Sequence, residues 1–110
     1  MPILTHILHL NQPSGEVLVE IHLYQPRPTG GSWTCNFEID WPEGRLARHG
    51  VGEDALQALV ITPQMIGAQI YTSPYHEDGS LRAYDKEDGY GFPVPNNLRD
   101  LLIGVDKMSF

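Results

Sequence analysis

A single cysteine, Cys35, in 110 residues excludes an internal disulfide and a cysteine-built metal cage. No apolar run approaches the roughly 20 residues that a membrane-spanning helix needs, so no membrane association is expected. The opening stretch MPILTHILHLNQPSGE has neither a basic head nor a small-residue cleavage site; no signal peptide is read there, and a cytoplasmic location is expected. Positive charge is scarce. Seven Lys and Arg stand against fourteen acids, for a formal charge of −7. Seven scattered bases make no stripe for a phosphate backbone, so nucleic acid is not an expected partner. An acidic surface instead favours solubility and attraction to basic partners.

Catalytic motifs are also missing. There is no His-Glu-x-x-His run and no Gly-x-Ser-x-Gly elbow. GVGEDA lacks the lysine and the spacing of a phosphate loop, and DKEDGYG misses the alternating oxygen ligands of a calcium loop. His76, Glu77, Asp78, Asp85, Glu87 and Asp88 are close in sequence, but a solvated acidic loop explains them more simply than a metal site does. No cofactor or metal is expected.

What is present is a clear two-residue alternation in the first half. In SWTCNFEIDW, residues 32–41, Trp33, Cys35, Phe37, Ile39 and Trp41 fall on one face and only polar residues on the other. In EVLVEIHLY, 16–24, Val17, Val19, Ile21 and Leu23 share a face. Residues 3–10 and 45–51 read as two further strands. The connectors NQPSG, QPRPTGG and PEG are short and rich in Gly and Pro, which suits antiparallel hairpins and excludes parallel crossovers. Cys35 lies on the apolar face, where a thiol is core rather than catalyst.

The apolar face needs a cover, and residues 54–72 supply a helix. Leu56, Leu59, Val60, Pro63, Ile66, Gly67 and Ile70 form one stripe that stays in phase through Pro63, which predicts a single helix bent there, capped at Gly52. Two helices, with Thr62 as cap and Pro63 at the first helical position, fit the same residues. Gly67 predicts close backbone approach to the sheet. Ala58, Ile61, Met65 and Ala68 then face outward, toward either the chain's own tail or a second copy of the protein. The tail, 97–103, reads as a short helix opened by Asn96 and closed by Gly104. Residues 73–95 read as an exposed loop or hairpin turning at Asp78-Gly79. The expected fold is α+β: a four-stranded antiparallel meander packed by one Pro-bent helix, with a short C-terminal helix, in one domain.

The W-x-C-x-F-x-I strand (Trp33, Cys35, Phe37, Ile39) and the G-x-D-A-L-Q-A-L helix start (Gly52, Asp54, Ala55, Leu56, Gln57, Ala58, Leu59) resemble a family of short bacterial proteins known only as a domain of unknown function. The likeness extends to Tyr71, about half the chain. It implies a meander plus helix and carries no activity to transfer. Pro63 departs from the unbroken helix that the family implies.

Three functions compete on these residues. The first is a non-enzymatic protein-interaction module, in its concrete form an immunity-type inhibitor that occludes a basic toxin. Tyr75, Tyr84 and Tyr90 would anchor the partner, and Glu77, Asp78, Glu87 and Asp88 would steer it. The second is homo-oligomerisation, a homodimer for instance, through Ile61, Met65 and Ala68. The third is a small metal-dependent hydrolase using His49, His76 and nearby carboxylates, with Asp40 brought near His49 by the 39–48 hairpin.

Overall fold

A computed structural model describes residues 1–84 and 88–110 of the protein. The fold is α+β, with an antiparallel sheet of six strands rather than four. The strands are β1 (Leu4–Gln12), β2 (Gly15–Leu23), β3 (Arg27–Thr29), β4 (Ser32–Trp41), β5 (Gly44–Gly52) and β6 (Leu81–Arg82). The four expected strands are β1, β2, β4 and β5, and they form the expected meander. From edge to edge the order is β6–β1–β2–β4–β5, and β3 prolongs the line of β2 along the same side of β4. β3 was hidden by Pro26 and Pro28, which read as loop; prolines are tolerated here because β3 has no further strand beside it. Gly30 and Gly31, both with positive φ, close the tight β3–β4 turn. β6 is too short to carry a periodic signal. It is not an arm of a local hairpin, because it pairs with His9 and Leu10 of β1.

The alternation places the core as expected. Leu8, Leu10, Val19, Ile21, Leu23, Cys35, Phe37 and Ile39 are buried on one face, against Ala58, Ile66 and Ile70 of the covering helix α1 (Ala55–Tyr71). α1 is one helix, continuous through Pro63. Its N-cap is Asp54, not Gly52: the carboxylate accepts from the Gln57 N–H at 2.7 Å, while the Gln57 amide oxygen accepts from the Glu53 N–H.

The helix is rotated from the expected stripe. Ala58, Thr62, Ile66 and Ile70 face the sheet, whereas Leu56 and Val60 are 70% and 52% exposed. The reason lies on β5. Gly50 and Gly52 present bare backbone, and a Cβ on either would overlap Thr62 Oγ1 or the Ala58 backbone. Only small helix residues fit so close a contact, so the larger Leu56 and Val60 are turned away. Thr62 satisfies its buried hydroxyl by donating to the Ala58 carbonyl at 2.7 Å. Of the residues expected on an open outer face, Ala58 is fully buried against the sheet and Ile61, Met65 and Ala68 are half-buried; the Ile61 and Met65 side chains lie over Gly50.

The tail covers the other side of α1. Gly67 is tight against it, not against the sheet: a Cβ there would overlap the Pro93 carbonyl oxygen. Phe92, Val94 and Leu102 are buried in this layer. The expected 97–103 helix is a 3₁₀ segment, Asn96–Leu101, preceded by Pro95 without a side-chain cap. Gly104, with φ +54°, opens a further helix, α3 (Gly104–Ser109), instead of closing the first. Between α1 and β6 stands one short helix, α2 (Pro74–Glu77), capped by Ser73.

Gly67→Ala tests this close packing. Helix propensity alone favours alanine by about 1 kcal/mol. Overlap with a backbone carbonyl outweighs that, because the tail must move away. We expect a net loss of about 1–3 kcal/mol, read as a lower urea midpoint at unchanged slope.

Candidate interaction site

Three constellations of polar and aromatic side chains stand out. The first lies on the open face of the sheet, opposite α1. His22 Nδ1 is 3.0 Å from Thr5 Oγ1, and its Nε2 is 3.0 Å from Asp40 Oδ2. Arg45 donates to both oxygens of Asp40 and to Glu38, which in turn accepts from the Tyr24 hydroxyl. The Arg45 guanidinium beside Asp40 holds its carboxyl below the ordinary carboxylate range. Asp40 therefore pairs with Arg45 and His22, not with His49. His49 sits opposite Asn36 on β5 and is exposed.

The second is buried and holds the tail to α1. Asp106, 1% exposed, accepts from the Tyr71 hydroxyl at 2.6 Å and from the backbone N–H groups of Tyr90 and Gly91 at 2.7 and 2.8 Å. The positive φ of Gly89 and Gly91 turns these two N–H groups onto one carboxylate. Tyr90 packs edge-on against Tyr71 and His76, and its hydroxyl lies 2.5 Å from His76 Nδ1. Burial pushes the Tyr71 phenol well above its usual value, and the bond to Asp106 adds to this. Burial and the Asp106 charge push Tyr90 up to about 12. Burial pushes His76 down, which keeps it neutral and able to accept from the Tyr90 hydroxyl.

The third is a cleft of about 280 Å³ between the β4–β5 turn and the C-terminal end of α1. The two-residue turn Pro42–Glu43 holds Trp41 and Glu43 at the end of the sheet. Tyr75, carried by α2, stacks on Trp41 with ring centroids 5.3 Å apart and planes 28° apart. Its hydroxyl donates to Glu43 Oε1 at 2.7 Å. The bond to Glu43, with partial desolvation beside it, holds the Tyr75 phenol above its ordinary value.

The expected partner-binding residues are thus divided. Tyr75 lines the cleft, and Glu77 and Asp78 follow it at the end of α2, both exposed. Tyr84, 72% exposed, and Asp88 line a separate hollow of about 170 Å³ beside Val105. Tyr90 is 3% exposed and serves the buried cluster, so it is no surface anchor. Glu87 and Asp85 lie outside the described residues. His76 is enclosed by Tyr71 and Tyr90 on the helix side of the molecule, so it and His49 do not converge. Among the described residues no three His, Cys, Asp or Glu side chains gather as metal ligands. Burial raises the Cys35 thiol, as suits a core position.

Sequence reasoning missed Trp41 and Glu43 as site residues. The signal was available: a two-residue hairpin turn places its flanking Trp at the sheet end, with the acid on the turn itself. Asp106 had no comparable signal, because its partners lie 15 to 35 residues away.

An antiparallel sheet with one face open, one long covering helix and an acid-flanked aromatic cleft define a small α+β domain, in which no helix among the described residues is long and apolar enough to cross a membrane. Within that class, the chain belongs to the family described as a domain of unknown function, DUF6968, which it matches over residues 4–94. No curated protein and no solved structure matches it.

The buried cluster makes two predictions. Asp106→Asn replaces an all-acceptor carboxylate with an amide that cannot serve all three donors. It should cost about 1–3 kcal/mol in chemical denaturation. For pH, the Tyr90 value is raised on folding from 10 to about 12, so its contribution is whole below pH 10 and is lost as pH climbs through 12. His76 has the opposite sense. Its value falls below the ordinary 6.5, so its contribution is whole above pH 6.5 and drains away on acidification below it. Stability measured against pH should show both limbs, with the acid limb shallower in His76→Asn.

Proposed function

We propose that the protein is a non-catalytic, acidic interaction module that holds a basic protein partner, as an immunity-type inhibitor occludes a basic toxin. The observation that carries this reading is the Tyr75 ring, stacked on Trp41 with its hydroxyl bonded to Glu43. A rigid aromatic pair with acids at its edge has the character of a binding anchor. Glu43, Glu77 and Asp78 make no salt bridge among the described residues, unlike Glu16, Glu38 and Asp40 on the sheet. Their charge is available to a partner, and the chain's net −7 favours a basic one. The inhibitor form of the proposal rests on this charge and on the absence, among the described residues, of a gathered set of metal ligands.

A second reading, homo-oligomerisation, is favoured by one observation: Leu56 and Val60 lie exposed on the same side of α1. It moves the expected contact from Ile61, Met65 and Ala68 to this strip. Light scattering at high concentration tests it, and a monomer in which Leu56→Ser and Val60→Ser change nothing removes it.

For the leading reading, immobilised protein should retain a basic protein from lysate at low salt. Release is expected at about 1 M salt, where the screening length is roughly 3 Å. The triple variant Glu43→Gln, Glu77→Gln, Asp78→Asn should retain about tenfold less. Recovery of nothing basic would end this proposal.

A further inference from the structure

We propose that the cleft between the β4–β5 turn and the C-terminal end of α1 receives one guanidinium side chain, an arginine of the partner. The inference rests on the reading of the protein as a binder of a basic partner, and it names the group recognised. Four features converge on it.

The first is the lining. Trp41, Glu43, Gln69, Thr72 and Tyr75 contribute to the walls, and no lining residue is basic. Several of the polar groups are left as acceptors. The Tyr75 hydroxyl donates its proton to Glu43, and the Thr72 hydroxyl donates to the Ala68 carbonyl at 2.6 Å, so each oxygen keeps its lone pairs for an incoming donor. The second is the helix end. The last turn of α1 contains no basic residue, so the negative end of its dipole is not offset from within that turn. A cation brought to this end would supply what the chain does not.

The third is the aromatic wall. A guanidinium stacks on ring faces and forms forked bonds with a carboxylate at once, which an ammonium does not. Trp41 and Tyr75 with Glu43 offer both surfaces within one cleft. The fourth is size. At about 280 Å³ the cleft lies just below the range of pockets that enclose whole small-molecule ligands, and it suits one long side chain.

The test uses the full chain and N-acetyl-arginine methylamide, titrated against two controls, the lysine amide and the uncharged citrulline amide. Two-dimensional NMR follows the indole N–H of Trp41 and the backbone amides of Trp41, 43–46, 69–73 and Tyr75. The arginine amide should shift these signals saturably, with a midpoint in the millimolar range for so small a probe. The Trp33 indole should stay in place. The lysine amide should bind several-fold more weakly, and the citrulline amide should not saturate. Glu43→Gln should weaken the arginine midpoint about tenfold, whereas Glu20→Gln, remote on the open sheet face, should leave it unchanged.

Absence of saturation with arginine, equal binding of citrulline, equal binding of lysine or an unchanged midpoint in Glu43→Gln would each overturn the guanidinium pocket. Its failure is separable from failure of the interaction reading. If a basic partner is retained equally by the wild type and by Trp41→Leu, the pocket is refuted and the module stands. If arginine amide saturates the cleft while no basic protein is retained, the pocket stands and the module falls.

Discussion

The contact between α1 and the bare backbone of Gly50 and Gly52 is the constraint from which the rest of the molecule follows. With no side chains on this part of β5, the helix approaches until Ala58 and Thr62 touch the sheet. That distance selects which helical face turns inward, since a leucine at either site would overfill it. Ile66 and Ile70 then continue the same row into the core that holds Phe37 and Ile39. Leu56 and Val60 are left outside, and Gly67 and Tyr71, farther along that same side of the helix, meet the tail.

Gly67 and Tyr71 in turn determine where the tail goes. The tail lies across Gly67 at Pro93, and Asp106 of α3 reaches back to the Tyr71 hydroxyl. A buried carboxylate is tolerated because all its bonds are made: one hydroxyl and two backbone N–H groups converge on it. The same cluster draws Tyr90 and His76 inward. The segment after α1 is therefore not one free acidic loop. Its first part, through Asp78, is held beside the sheet end, and Tyr90 closes it off internally.

This division shapes the candidate site. The end of α1, the β4–β5 turn and α2 meet at one place, and their meeting creates the cleft with Trp41, Tyr75 and Glu43. The helix end contributes the negative pole of its backbone, the turn contributes a carboxylate, and α2 contributes a ring whose position is set by stacking. The open sheet face is chemically different. Asp40 and Glu38 there are already bonded to Arg45, and Asp40 also to His22, so these two carboxylates form a satisfied network.

The amino-acid pattern by itself determined the four strands of the meander, the faces that β2 and β4 bury and a helical segment through residues 54–72, while one helix or two meeting at Pro63 both fitted the residues. These follow from local periodicity: alternating polar and apolar residues specify a strand's faces without reference to the rest of the chain. The family was also legible, from the strand of Trp33 to Ile39 and the helix start at Gly52. Only the tertiary structure decided the rotation of α1, because that depends on side chains absent from another element, which no helical period records. It also decided that Tyr90 is internal, that Asp40 pairs with His22, and that Trp41 and Tyr75 stack. Each of these joins residues 14 to 34 positions apart through the packing of separate elements, and the sequence neighbours of such residues carry no trace of it.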